Sequence, residues 1–226
     1  MVTKRDADTP ADKQIPGIIS EIESAAGALA HIGPAVSIFG SARIGRDSPY
    51  YAHSEALGTR LAEAGFAVIA GGGPGIMEAA NKGAFDAGGT SVGLNIVLEH
   101  EAAGNPYQTI PLSFEYFYSR KATFFMHSMA YVALPGGYGT LDELFEALTL
   151  IQTGKVPAGP VILIGSEFWN GLERWIRERM LPAGMVSERD MGLFCVEDDP
   201  AAAVARIVRF HRETRVGDDY APSLPA

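Results

Sequence analysis

In the stretch LPGGYGTLDELFEALT, residues 134–149, Gly136, Gly137, Gly139 and Thr140 join an apolar run to a helical pattern. Two other apolar runs also give way to small residues, FGSAR at 39–43 and AGGGPG at 70–75. Glycine lets bare backbone N–H groups approach a ligand, and a following helix N-terminus adds about half a positive charge. Each loop is therefore a cradle for an anion. Glycines also turn tight strand-to-helix corners without binding anything, but three such loops on one sheet edge favour a phosphate.

The elements that would carry these loops alternate in type. A helical pattern runs from Pro16, followed by short apolar runs at 35–40, 66–73, 91–97, 130–135, 160–165 and 193–197 that read as strands. Helical patterns separate most of them, at 48–65, 75–88, 115–129, 139–154, 167–181 and 199–214. The rhythm breaks at 98–114, where turn formers and two prolines predict a long loop over the sheet edge. Regular alternation implies βαβ units, so the fold class is α/β: a parallel, Rossmann-like sheet with helices on both faces in a single domain. The domain is expected over 15–214, between polar or proline-rich tails at 1–14 and 215–226. Ligands of such a sheet bind beyond the carboxyl ends of the strands, where the three glycine loops fall.

Composition narrows the classes. With 226 residues, 47% of them hydrophobic, the chain has material for one ordinary core. A formal net charge of −9 argues against nucleic acid or anionic membrane as partner, while a local basic pocket for a small anion stays open. No apolar run approaches the roughly 20 residues of a membrane helix, and the single cysteine, Cys195, fits a reducing compartment, so the cytoplasm is expected. The one Gly-Lys pair, Gly154–Lys155, continues with Val156, so the phosphate loop of NTPases is absent. The dinucleotide fingerprint fails at Ile76 and again at Asp142, leaving a mononucleotide or sugar phosphate as ligand.

PGGYGTLDE at 135–143, preceded by SRK at 119–121 and GGGPGIMEAANKGA at 71–84, resembles the LONELY GUY family of nucleoside 5'-monophosphate phosphoribohydrolases, long labelled lysine decarboxylase-like. The similarity spans roughly residues 33–212. It is closer to the longer bacterial branch, since plant-type members read nearer GGGSVGLMG where this chain has GGGPGIMEA. The resemblance implies cleavage of the N-glycosidic bond of AMP or N6-substituted (cytokinin) AMP to free base and ribose 5-phosphate. It also implies Glu143 and Arg120 as the catalytic pair, and a homodimer or higher homo-oligomer. The same fold occurs in relatives that bind nucleotides or cofactors without turnover, which makes a carrier the competing reading.

Chemistry assigns these residues separate work. Glycosidic hydrolysis passes through an oxocarbenium-like transition state, which a carboxylate beside C1' stabilises while it orients or deprotonates water. Glu143 fits that place. Arg120 binds ligand oxygens or positions Glu143, because a guanidinium does not readily release its proton. Gly136, Gly137, Gly139 and Thr140 are expected on the 5'-phosphate, with Tyr138, Asp142 and Thr149 nearby on the same helix and Lys121 assisting. Ser41, Gly72, Gly73, Glu78 and Asn81 are expected to reach the ligand from the other two loops, and Glu101 the base or ribose. Phe114, Tyr116, Phe117 and Tyr118 would stack on a purine, pack a core or line a neighbouring subunit. His127 stands in no Cys/His/Asp cluster with metal spacing, so neither metal nor cofactor is expected, and no lysine is marked out for pyridoxal phosphate.

Overall fold

A computed structural model describes residues 10–98 and 104–216. Seven strands form one wholly parallel sheet: β1 (Ala35–Phe39), β2 (Ala67–Ala70), β3 (Ser91–Ile96), β4 (Ile110–Phe114), β5 (Ala130–Ala133), β6 (Val161–Ile164) and β7 (Cys195–Glu197). Among the described residues seven α-helices accompany them: α1 (Pro10–Leu29), α2 (Pro49–Glu63), α3 (Ile76–Asp86), α4 (Phe117–His127), α5 (Tyr138–Gln152), α6 (Ser166–Trp175) and α7 (Pro200–Val216). The strand order is β4-β3-β2-β1-β5-β6-β7. The chain builds outward from β1 to β4, then crosses back to lay β5 on the other side of β1. That reversal opens a crevice between the loops after β1 and β5, the usual ligand position in such a sheet.

Strands β1, β2, β5 and β6 are buried along their whole length, which is why they read as continuous apolar runs rather than alternating ones. Their side chains divide into two cores. Phe39, Ile69, Leu94, Phe124, Leu144 and Trp169 fill one face, against α4, α5 and α6. Val36, Ile38, Leu57, Ile76, Ala80 and Ile207 fill the other, against α2, α3 and α7. Helices α2 and α3 cross at very short range, because a Cβ on Gly58 would lie 2.2 Å from the Ala80 carbonyl oxygen and one on Gly83 2.0 Å from that of Glu55. Ser54 Oγ donates to the Ile76 carbonyl (2.8 Å) across the same crossing, which fixes where α3 begins.

Two expectations are corrected. The region 98–114 is not loop throughout: its last five residues form β4, which pairs with β3 from Val92↔Ile110 to Ile96↔Phe114. Pro111 obscured it, since proline cannot donate to a ladder and is tolerated on an edge strand such as this one. Helix α1 starts at Pro10, not Pro16, so residues 10–14 are helical rather than tail; an interior proline costs one helical hydrogen bond and here does not end the helix. At the other end α7 runs to Val216. Among the described residues no helix is long and apolar enough to cross a membrane.

Candidate active site

The three glycine loops meet, laced by main-chain hydrogen bonds. Ser41 N–H donates to the Pro135 carbonyl (3.1 Å), and Ile76 N–H donates to the Ser41 carbonyl (3.1 Å). Gly72 and Gly75 hold positive φ, +76° and +67°, and a Cβ on Gly75 would meet the Ser41 carbonyl at 2.5 Å. Only glycine is at ease there. Together the loops floor a cleft of about 1500 Å³ that Ser41, Gly72, Gly73, Glu78, Arg120, Gly137, Tyr138, Gly139, Thr140 and Glu143 help to line.

At the start of α5 the N-cap is Gly137, which offers no side-chain acceptor, and the first turn holds no acidic residue. The amides there, with the positive end of a 15-residue helix behind them, suit an anion supplied from outside the chain. Helix α3 differs, since Ser41 already accepts from Ile76 N–H and Glu78 occupies its first turn. Gly136 lies behind the loop: the Thr140 side chain leans over it, with Oγ1 2.1 Å from where a Cβ would stand.

Arg120 is a buried guanidinium, only 7% exposed. Its Nε donates to the Leu94 carbonyl (2.7 Å) and its Nη2 to the Gly71 carbonyl (3.1 Å), and it lies 5.6 Å from the Phe124 ring centre. It is therefore tied to the ends of β3 and β2 while lining the cleft. Helix α4 is placed to deliver it, because Glu21 of α1 accepts hydrogen bonds from Glu115 N–H (2.8 Å) and from Ser119 Oγ. Glu143, half-buried in the first turns of α5, faces the same cleft. Burial pushes its carboxyl up to about 7, against the opposing pull of the Arg120 guanidinium. A carboxyl poised near neutrality between protonated and ionised forms is suited to moving a proton.

Other expected residues divide. Ser41 lines the cleft, its Oγ accepting from Arg43 N–H (3.1 Å). Asn81 turns away: fully buried, it donates to Ser91 Oγ (2.9 Å) and the Val92 carbonyl (3.0 Å) and accepts from Asn105 (3.0 Å). Although one helical turn from Glu78, Asn81 is held on the sheet side of α3 by these bonds to β3. Lys121, Asp142 and Thr149 lie on a separate shallow groove of about 520 Å³ along the outside of α5, which Tyr138 also borders. There Lys121 pairs with Asp142 (2.7 Å) and Glu146 (2.6 Å); burial pulls its pKa down, yet the two carboxylates leave it raised. Thr149 Oγ1 donates back to the Phe145 carbonyl (2.7 Å), bonding within its own helix. Phe114 is core, Tyr118 is exposed, and Phe117 stands half-exposed at the cleft. His127 is partly buried, which holds its pKa below the usual value. Glu101 lies outside the described residues.

Sequence reasoning missed a set of amides. Asn105 N–H (2.7 Å), Asn105 Nδ2 (3.0 Å) and Gln108 Nε2 (3.1 Å) all donate to the Gly72 carbonyl, clamping the segment before β4 onto the second glycine loop. Asn95 and Gln108 then exchange hydrogen bonds of 2.9 and 3.1 Å. The partners stand up to 36 residues apart, and no local pattern announces them.

A sequence model of the family described as "Possible lysine decarboxylase" matches residues 77–207, more than half of the chain. The cytokinin riboside 5'-monophosphate phosphoribohydrolase of Rhodococcoides fascians is 30% identical over 176 residues, covering 76% of this chain and 88% of that protein. The chain belongs to the LONELY GUY family. Among plant members, Arabidopsis thaliana LOG1, a cytokinin riboside 5'-monophosphate phosphoribohydrolase, is 30% identical, covering 67% of this chain and 72% of its own length. The probable phosphoribohydrolase LOGL5 of Oryza sativa subsp. japonica is 32% identical, and the match covers 67% of this chain but 62% of the rice protein. The molybdenum cofactor carrier protein of Chlamydomonas reinhardtii shares the fold, with a TM-score of 0.59 at 24% identity, covering 79% of this chain and 98% of that one.

The family's decarboxylase label implies pyridoxal phosphate, which needs a lysine at the site to form a Schiff base. Among the described residues no lysine lines the cleft: Lys82 is engaged by Glu55 (2.5 Å) and Asp86 (2.9 Å), and Lys121 faces the other groove. The residues present do not fit that cofactor.

Proposed function

We propose that the chain hydrolyses the N-glycosidic bond of purine nucleoside 5'-monophosphates, AMP or its N6-substituted forms, releasing free base and ribose 5-phosphate. The observation that carries this reading is the placement of Glu143 and Arg120 on one cleft with the uncapped N-terminus of α5. The α5 amides take the 5'-phosphate, holding the ribose over the helix from which Glu143 projects. As the C1'–N bond breaks, its electron pair leaves with the base, which takes up a proton from solvent, balanced by the one that attacking water gives up, and positive charge grows on the sugar. The Glu143 carboxylate stabilises that charge and accepts a proton from the water that bonds to C1'. Arg120, fixed by two main-chain carbonyls, keeps its own proton and meets ligand oxygens or the departing base electrostatically. With Cys195 as its single cysteine, the chain suits a reducing, cytosolic setting.

The activities of the relatives support hydrolysis, while the shared fold of the molybdenum cofactor carrier keeps binding without turnover as the second reading. Incubation of purified protein with AMP, GMP, CMP and N6-isopentenyl-AMP, followed by chromatography of free base, tests the proposal. Base release from AMP or its N6-substituted form supports it. Binding of all four without release favours the carrier.

A further inference from the structure

Of the described residues that line the cleft, Glu143 and Glu78 are the two carboxylates, and Glu78 has no part in the chemistry above. It is built into place with unusual care. Its Oε1 accepts from Arg46 Nε (2.9 Å), Arg46 Nη2 (2.6 Å) and Tyr51 OH (2.8 Å). Tyr51 is buried, only 5% exposed, and the Glu78 side chain 14%. All three donors fall on one oxygen, leaving Oε2 to accept from elsewhere. Elsewhere on the cleft, Asn95 and Gln108 bond each other, Asn105 bonds main-chain carbonyls, and Ser41 Oγ accepts from Arg43 N–H.

A fixed carboxylate repels a phosphate, and Glu78 stands in the first turn of α3, on a different helix from the uncapped α5 amides. Arg46 offsets its charge, so the anionic ligand as a whole is not turned away. An ionised carboxylate only accepts hydrogen bonds, and the donors a nucleoside offers are its ribose hydroxyls and an exocyclic amine. We propose that Glu78, held by Arg46 and Tyr51, is a specificity-determining acceptor for the nucleoside half of the ligand. This rests on a nucleotide occupying the cleft. Sites built to pair a particular donor reject analogues that lack it, because the buried acceptor is then left unpaired.

The test measures affinity by calorimetry for AMP, inosine 5'-monophosphate (no amine) and 2'-deoxy-AMP (no 2'-hydroxyl), with base release recorded separately. Wild-type protein should prefer AMP at least tenfold over one of the two analogues. In Glu78→Gln that preference should collapse to threefold or less, and the analogue affected names the donor. Tyr51→Phe and Arg46→Ala, which loosen Glu78 without replacing it, should each erode the same preference partway. Equal loss for all three ligands in Glu78→Gln, or no change, overturns the proposal, as does a wild type that does not discriminate. Tight, discriminating binding without base release would instead refute hydrolysis while leaving the role of Glu78 standing.

Discussion

Replacing Glu143 with glutamine should stabilise the protein while disabling it. Burial lifts this carboxyl from an ordinary 4.5 to about 7, against Arg120. At ~1.4 kcal/mol per pH unit, that lift corresponds to about 3 kcal/mol of folded-state stability surrendered when the group ionises. Below pH ~4.5 the carboxyl is protonated whether folded or unfolded, and the variant and wild type should be equally stable. As pH rises the unfolded chain releases its proton first, so wild type loses stability until the folded carboxyl has ionised above about 7. The amide escapes this. At pH 8 Glu143→Gln should be the more stable by about 1–3 kcal/mol after screening by cleft water, or roughly 2–10 °C in Tm. Turnover should fall by about a hundredfold or more with AMP affinity little changed, and wild-type turnover should rise with pH through about 7. Urea unfolding at pH 4.5 and 8, beside a base-release assay, reads all of this. Equal stability at both pH values would refute the burial of Glu143, and near-wild-type turnover would remove it from the mechanism.

Arg120→Ala should weaken AMP binding and turnover together and cost about 2 kcal/mol or more in urea, because the Leu94 and Gly71 carbonyls lose their buried donor. Gly58→Ala should lower Tm by several degrees despite alanine's better helix propensity, since its methyl would meet the Ala80 carbonyl; calorimetric melting with a Tm at or above wild type would contradict the close α2–α3 crossing. Turnover should survive EDTA, because Glu143 and Arg120 meet the developing charge, and loss restored by a divalent ion would overturn this. Light scattering should show a homodimer or larger, with exposed Tyr118, Met126 and Phe145 on α4 and α5 covered by a second copy; a monomer at micromolar concentration would refute it.

What the sequence revealed was local. Glycines at strand ends mark main-chain approach whatever surrounds them, so the three close-packed loops were legible in the sequence. Continuous apolar runs announced strands buried on both faces. The misses were long-range. β4 hid behind Pro111 because edge strands tolerate what central ones do not. Asn81 and Thr149 differ from true cleft residues only in which side of a helix they occupy, and that depends on packing angles no spacing of residues reports. Arg46 and Tyr51 reach Glu78 across 32 and 27 residues, through a contact made only when the first two glycine loops meet.

The central claim is rupture of the bond between sugar and base, and product stoichiometry tests it most directly. Purified protein incubated with AMP should yield adenine and ribose 5-phosphate one for one, with no inorganic phosphate, and Glu143→Gln prepared identically should yield neither at a comparable rate. AMP recovered intact from protein that binds it by calorimetry, or adenosine appearing with inorganic phosphate, would contradict the account.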